Sequence, residues 1–253
     1  MTIERKLRDG GLSKSDVANL QRRLFLKRGL SLSALTLLTG CDVTNSTPVD
    51  GFLRLISRMN DSIQGALFRP NKLARTFPES MVPAEFRFNA QYGIDRVPTL
   101  NPATWRLELA GAIANKQPWT LEQLREMPQI SYVARHVCVE GWSMIGKWGG
   151  VPLRAFLEKV GADLTAKYVM FRCEDPINYS SSIDMASALH PQSILCLTYA
   201  DRPIEAKFGA PMRLKMTTKL GFKQPKYITS IEVTNQYPGG YWEDLGYNWF
   251  AGV

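Results

Sequence analysis

Hydrophobic and polar positions divide this chain into a leader, a linking segment and a long body. Between Gly51 and Phe68, the apolar residues Phe52, Leu53, Leu55, Ile56, Met59, Ile63 and Leu67 recur near helical spacing, which predicts an amphipathic helix. Its apolar face is expected to pack on the body, with membrane contact as the alternative. Arg69–Pro83 reads as an extended connection. Trp105, Leu107 and Leu109 alternate with polar residues, as in a half-buried strand. Thr120 and Gln123 have capping-box spacing and open a helix over Leu121–Met127. Ile130–Val139 reads as a strand. Pro152 starts and Gly161 stops a helix over 152–160. Lys167–Cys173 and Ser193–Tyr199 read as strands, with a short helical segment, Asp184–His190, between them. Ala210–Met216 and Tyr227–Thr234 are late strands, and a tail rich in glycine and aromatics closes the chain. This order predicts a strand-rich, mixed α+β fold. The expected division is a leader over 1–41, a tether and helix over 42–70, and one domain over 71–253.

Composition narrows the class. With 45% hydrophobic and 21% charged residues, the chain is not long disorder, collagen or coiled coil. The net charge of +8 is uneven: residues 1–40 contribute +5 and the remainder +3. The basic excess is therefore largely a property of the leader, which removes most support for nucleic-acid binding. No stretch reaches the roughly 18–20 apolar residues of a membrane span. Within the leader, Arg22 and Arg23 precede Leu24–Phe25–Leu26–Lys27, and a modest apolar run leads to Leu38–Thr39–Gly40–Cys41. The arginine pair resembles a Tat export signal, and the last four residues resemble a bacterial lipobox with Cys41 as the acylated residue. The alternative is a basic amphipathic helix ending at a buried cysteine. Tat signals export folded proteins, so the resemblance implies a cofactor inserted before export.

Candidate chemistry centres on cysteine. Beyond Cys41, the thiols are Cys138, Cys173 and Cys196. Cys173 and Cys196 either pair as a disulfide or sit as core residues on strands. There is no C-x-x-C or H-E-x-x-H, and there are two histidines, so a protein-built zinc or haem site has little support. Cys138 is different in its setting, Arg135–His136–Val137–Cys138–Val139–Glu140–Gly141–Trp142–Ser143. On a strand, His136, Cys138 and Glu140 share one face, and Gly141 permits a sharp turn. An imidazole, a thiol and a carboxylate would then come within reach of one centre, and a thiolate is a soft ligand suited to metals such as molybdenum, copper or zinc. A structural cysteine on a strand is the competing reading.

The same segment, followed by Trp148-x-Gly150-Val151-Pro152-Leu153, resembles the molybdenum-ligand segment of the sulfite-oxidase-like molybdopterin oxidoreductases. It is most similar to their Tat-exported bacterial branch, which includes periplasmic methionine sulfoxide reductases. Gly209–Ala210–Pro211–Met212–Arg213–Leu214 and Lys219–Leu220–Gly221–Phe222–Lys223–Gln224–Pro225–Lys226 resemble two further family blocks in the same order. The resemblance implies a sulfite-oxidase-type pterin fold and a Mo–molybdopterin cofactor, with Cys138 as the metal ligand. It implies that Arg213 binds the pterin phosphate, that Gln224, Pro225 and Lys226 form the loop holding the pterin, and that Asn89 contacts it. Cys173 stands where the family has a cofactor-contacting threonine. Phe208 stands where relatives have Asn or His, which leaves it a backbone or stacking role. Glu140 and His136 are the candidates for proton supply or tuning. The anion-binding arginine that follows the cysteine of sulfite oxidases is missing, and Glu140 lies nearby. A carboxylate there disfavours a dianion such as sulfite and favours a neutral oxo-donor such as a sulfoxide. No C-x-x-C-H haem motif is present, so electrons pass through a partner, for which the resemblance implies a membrane haem b protein. A sulfite dehydrogenase, or a non-enzymatic lipoprotein that kept the fold, are the alternatives.

Overall fold

Short strands separated by tight turns build two sheets, and the path between them sets the position of every candidate residue. The computed structural model describes residues 47–253. The arginine pair and Cys41 lie outside the described residues. Ser57–Val253 forms one compact unit, and it contains both sheets.

Helix α1 (Thr47–Leu67) realises the helical spacing. The expected packing of its apolar face does not occur: Met59, Ile63 and Leu67 are exposed, while Asp61 and Gln64 are partly buried. The helix is attached by polar bonds, so its hydrophobic pattern does not mark the side that meets the body.

Strand β1 (Glu108–Gly111) is followed by helix α2 (Leu121–Glu126), whose capping box is complete: Thr120 accepts from the Gln123 N–H and Gln123 accepts from the Thr120 N–H. Strands β2 (Ile130–Val137) and β3 (Ser143–Pro152) form a long antiparallel hairpin. Helix α3 (Leu153–Lys159) has Pro152 at its N-cap and a left-handed glycine, Gly161, after its end. Then come β4 (Tyr168–Cys173), β5 (Ser180–Asp184), α4 (Met185–Ala188), β6 (Ile194–Tyr199), β7 (Arg202–Pro203), β8 (Arg213–Lys215), β9 (Ile228–Thr234) and α5 (Tyr241–Asp244).

One sheet runs β1-β9-β4-β5, in which β1 and β9 are parallel and the other pairs antiparallel. The other runs β2-β3-β6, with β7 and β8 both paired to β6. The fold is therefore mixed and strand-rich, as the sequence order predicts. Val169, Phe171, Ile231 and Val233 of the first sheet join Val151, Leu195, Leu197 and Leu214 of the second in one core with Leu121, Leu124, Phe156 and Leu157. Alternation along β6 sends Ile194 and Cys196 to a second cluster with Phe86, Trp148, Tyr199 and Phe208. Cys173 on β4 and Cys196 on β6 are both free thiols, so the disulfide alternative is replaced by two strand-borne core residues.

Candidate functional site

The β2–β3 turn makes the first wall. Cys138 follows the last residue of β2, donates its N–H to the Trp142 carbonyl at 2.9 Å, and accepts at its own carbonyl from Gly141 at 3.2 Å. Gly141 has φ +85°, so the turn closes on a left-handed residue. Cys138 is buried, and Glu140 stands beside it. Asn89 joins them from a distant loop. Its amide donates to Cys138 Sγ at 3.4 Å and to Glu140 Oε2 at 3.1 Å, and Trp142 Nε1 donates to the same carboxylate oxygen at 2.9 Å. Burial raises the Cys138 thiol above its ordinary range. The backbone N–H groups of Glu140 and Val139 and the Asn89 amide oppose that shift, and the Glu140 charge adds to it.

A second wall comes from residues 219–226. Lys226 Nζ donates to the Asn89 carbonyl at 2.6 Å and so ties this loop to the first. Together the walls enclose a cavity of about 220 Å³. Of the sequence-derived candidates, Asn89, Cys138, Glu140, Gln224, Pro225 and Lys226 line it. His136, Cys173, Phe208 and Arg213 are not among its lining residues.

His136 instead points into the protein interior. Its Nδ1 lies 3.4 Å from Lys215 Nζ, and its ring packs near Phe86, Trp142 and Trp148. Burial and the neighbouring Lys215 and Arg213 hold it well below the ordinary histidine range, which favours a neutral ring. Glycine is required above it, because a Cβ on Gly221 would meet His136 Nε2 at 2.8 Å. Phe208 stacks against Phe86 and Tyr199, and its carbonyl accepts from Arg213 Nη1 at 3.1 Å. Cys173 lies at the end of β4, where burial pushes its thiol well up.

Electrostatically, the unusual feature is a cluster of cations, two buried (Arg213 and Lys215) and one half-buried (Lys226). Arg213, Lys215 and Lys226 lie close together on β8 and the residues it bridges, and among the described residues none has a carboxylate within ion-pair distance. Arg213 donates to three backbone carbonyls, those of Leu214, Phe208 and Gln224. Each terminal nitrogen makes one of these bonds, so one N–H on each remains for a bidentate acceptor. Lys215 donates to the Gln224 side chain at 3.0 Å and the Met216 carbonyl at 3.1 Å. Burial, aided by the Arg213 charge, lowers Lys215 and Lys226 to about 7. Buried cations are ordinarily paired; three without a carboxylate are suited to an anionic ligand.

Sequence reasoning overlooked three contributors. Tyr92 lines the cavity, and its buried hydroxyl has no partner apart from the neighbouring Tyr227 hydroxyl. Its only signal was its place three residues after Asn89. Lys215 was legible in principle, since Arg213 and Lys215 are two apart on a strand and share a face. Trp242, from α5, supplies part of the cavity wall together with Val139, Ile177 and Phe222.

Comparison with known proteins agrees with this arrangement. Residues 94–242, more than half of the chain, match the family model described as "Oxidoreductase molybdopterin binding domain". A "Putative protein-methionine-sulfoxide reductase subunit YedZ1" from Azospira oryzae is 54% identical, with 91% of this chain and 87% of that protein aligned. A "Protein-methionine-sulfoxide reductase catalytic subunit MsrP" from Campylobacter jejuni is 27% identical over 67% of this chain and 63% of its own length. The MsrP of Burkholderia mallei is 30% identical over 60% of this chain and 50% of its own. Among solved structures, the sulfane dehydrogenase SoxCD from Paracoccus pantotrophus superposes with a TM-score of 0.51 at 18% identity, covering 55% of this chain and 40% of that one. The match over the body of the domain accounts for a buried cysteine at a surface turn and for cations without a carboxylate partner: the chain belongs to the molybdopterin-binding oxidoreductase family, and it is an enzyme that works with Mo–molybdopterin.

Proposed function

We propose that this enzyme reduces a neutral sulfoxide-type substrate by oxygen-atom transfer, with Cys138 as the protein ligand to molybdenum. The residues fit the cofactor: a buried thiol lines the cavity, and Arg213 retains two N–H groups beside two lysines that have no carboxylate partner. When bound, the molybdenum centre supplies the two-electron redox chemistry. Cys138 then serves as a soft thiolate donor. Asn89 orients that sulfur and the Glu140 carboxylate through one amide group. Glu140 stands at the cavity wall, where its carboxylate can relay a proton to the substrate oxygen, and Trp142 keeps that carboxylate in place. Gln224, Pro225 and Lys226 line the pterin, and Arg213 and Lys215 neutralise its phosphate. His136 positions Lys215 from below, Phe208 positions Arg213 through its carbonyl, and Cys173 supports the pterin loop from β4.

The observation that carries the substrate reading is a fixed carboxylate beside Cys138, in a cavity whose lining also holds a second carboxylate, Asp175, and the apolar side chains of Val139, Ile177, Phe222 and Trp242. Such a wall accepts an uncharged, partly apolar sulfur compound and repels sulfite. The names of the relatives, which are sulfoxide reductase subunits, support the same class. The test is steady-state turnover of the loaded enzyme with an artificial dye, comparing sulfoxides, N-oxides and sulfite. A kcat/KM for sulfite above that for sulfoxides would overturn the reading and favour a sulfite dehydrogenase.

The cellular setting follows from the leader. The protein is exported by the Tat route, acylated at Cys41 and held at a membrane on the periplasmic side, where a haem b membrane protein delivers electrons. Replacing Arg22 and Arg23 by lysine keeps the charge and should retain the protein in the cytoplasm. Fatty-acid labelling of the wild type, lost in Cys41→Ser, reads the acylation.

A further inference from the structure

The C-terminal part of α1 is attached by the side that an amphipathic helix normally turns to water. Asp61 Oδ1 accepts from Asn248 Nδ2 at 2.6 Å and from the Phe250 N–H at 2.9 Å. Gln64 Nε2 donates to Asn248 Oδ1 at 3.2 Å, and Gln64 Oε1 accepts from the Gly252 N–H at 3.0 Å. Asp61 and Gln64 are three residues apart and share a face. Met59, Ile63 and Leu67 are four apart, form a stripe on another face, and are 51%, 50% and 73% exposed. Helical spacing carries the stripe back through Ile56 and Phe52 of the same helix, both also exposed. A helix of a water-soluble domain buries such a stripe. Here the polar face makes the attachment, and a contiguous apolar strip remains outside, which marks an interaction surface.

Two observations identify what covers it. Asp61 is bonded inward, and no further carboxylate occurs before Glu79, whereas the exposed Arg69, Lys72 and Arg75 follow the helix. An exposed apolar stripe that runs up to a group of exposed basic residues suits the interface of an anionic bilayer. Among the described residues no helix is long and apolar enough to cross a membrane, so the helix would lie along the surface. In addition, five residues separate Cys41 from Thr47, a reach of roughly 20 Å at full extension. This second argument rests on the acylation proposed above; the first does not. We infer that the outward face of α1, centred on Met59, Ile63 and Leu67, lies in the headgroup region of an anionic membrane, as an attachment additional to the acyl chain.

The experiment compares two full-length, cofactor-loaded proteins, both carrying Cys41→Ser so that no acyl chain contributes. One also carries Met59→Gln, Ile63→Gln and Leu67→Gln. Any binding by the leader is common to both. In flotation with vesicles of phosphatidylethanolamine and phosphatidylglycerol, the triple change should lower partitioning about tenfold or more. Binding of the unchanged helix should be weaker on phosphatidylcholine vesicles. Molybdenum content and dye-linked turnover should stay the same, because these side chains are exposed and do not line the cavity. Equal partitioning of the two proteins would overturn the inference. So would a loss of self-association, seen by sedimentation, with no change in partitioning. If wild-type protein takes up no fatty-acid label while the helix effect persists, the acyl anchor fails and the helix attachment stands.

Discussion

Replacing Arg213 with alanine separates its role toward the cofactor from its role in the fold. The guanidinium is buried and occupies three carbonyl oxygens, those of Leu214, Phe208 and Gln224. In the cofactor-free protein the change has two opposing effects. It removes a buried charge that has no carboxylate partner, which stabilises, and it leaves carbonyls without a donor, at about 1–3 kcal/mol each if water does not reach them. These terms largely offset. In the loaded protein nothing offsets the loss of two charge-assisted bonds to the phosphate. At about 1.5–3 kcal/mol each, the loss is about 3–6 kcal/mol, or roughly a hundredfold to ten-thousandfold in affinity. Ligand stabilisation appears directly in unfolding, at about 2–4 °C per kcal/mol for a protein of this size. The gap in Tm between loaded and cofactor-free protein should therefore narrow by about 6 °C or more in Arg213→Ala. Calorimetry on both forms, with pterin content followed by fluorescence during dialysis, makes the measurement. An unchanged gap together with full pterin retention would refute the assignment of Arg213 to the phosphate.

Other outcomes follow from the same geometry. Cys138→Ser replaces a soft donor with a hard one, so the oxidised enzyme should lose its sulfur-to-metal charge-transfer absorption and nearly all turnover, while Cys173→Ser and Cys196→Ser keep both; the visible spectrum decides. Lys215 and Lys226 each titrate near 7 in the cofactor-free fold, below their ordinary 10.5. Between those values the unfolded chain binds more protons than the fold, so cofactor-free stability should rise as pH increases from about 7 toward 10.5. The penalty of the buried charges is complete below pH 7. Phosphate binding favours the charged lysines, so cofactor retention should fall over the same rise in pH; Tm and pterin content at pH 6 to 10 check both signs, and Lys215→Met should flatten the stability profile. Gly209 has φ +112°, and a Cβ there would meet Lys226 Cβ at 2.7 Å. Gly209→Ala should destabilise by about 1–3 kcal/mol and displace Lys226, read as a lowered Tm and faster pterin loss.

Local chemistry made much of this legible. The Thr120–Gln123 capping box, the Pro152 and Gly161 limits of a helix and the strand over 130–139 are short-range signals, and the structure realises each, the strand ending at Val137. Strand β3 escaped because Gly146, Gly149 and Gly150 dilute its pattern; at Gly150 the glycine serves close packing, since a Cβ would collide with the Leu195 carbonyl oxygen. Strand β5 escaped because Ser180, Ser181 and Ser182 carry little hydrophobic signal, yet the last two are buried and bonded to the C-terminal segment. At the site, the spacing of His136, Cys138 and Glu140 suggests one shared face. The strand ends before Cys138, so the turn carries the thiol and carboxylate to the cavity while His136 stays inside with Lys215. For α1, periodicity specifies a helix but not its inner face. That face is chosen by Asn248 and the Phe250 and Gly252 backbone, more than 180 residues away.

The parallel pairing of β1 with β9 has a consequence for biosynthesis. Glu108 to Gly111 find their partners only at Ser230 to Val233, so the ribosome must complete nearly the whole domain before the first sheet can close. The lysine loop at 219–226 and Trp242 emerge in the same late interval. Loops of this length form slowly relative to local turns, and a nascent chain that has reached only β8 lacks both the closing strand and much of the cavity wall. Cofactor insertion is thereby a post-synthetic event. Premature termination near the carboxyl end would yield an unloadable chain with open sheet edges, a substrate for proteolysis rather than a slower enzyme.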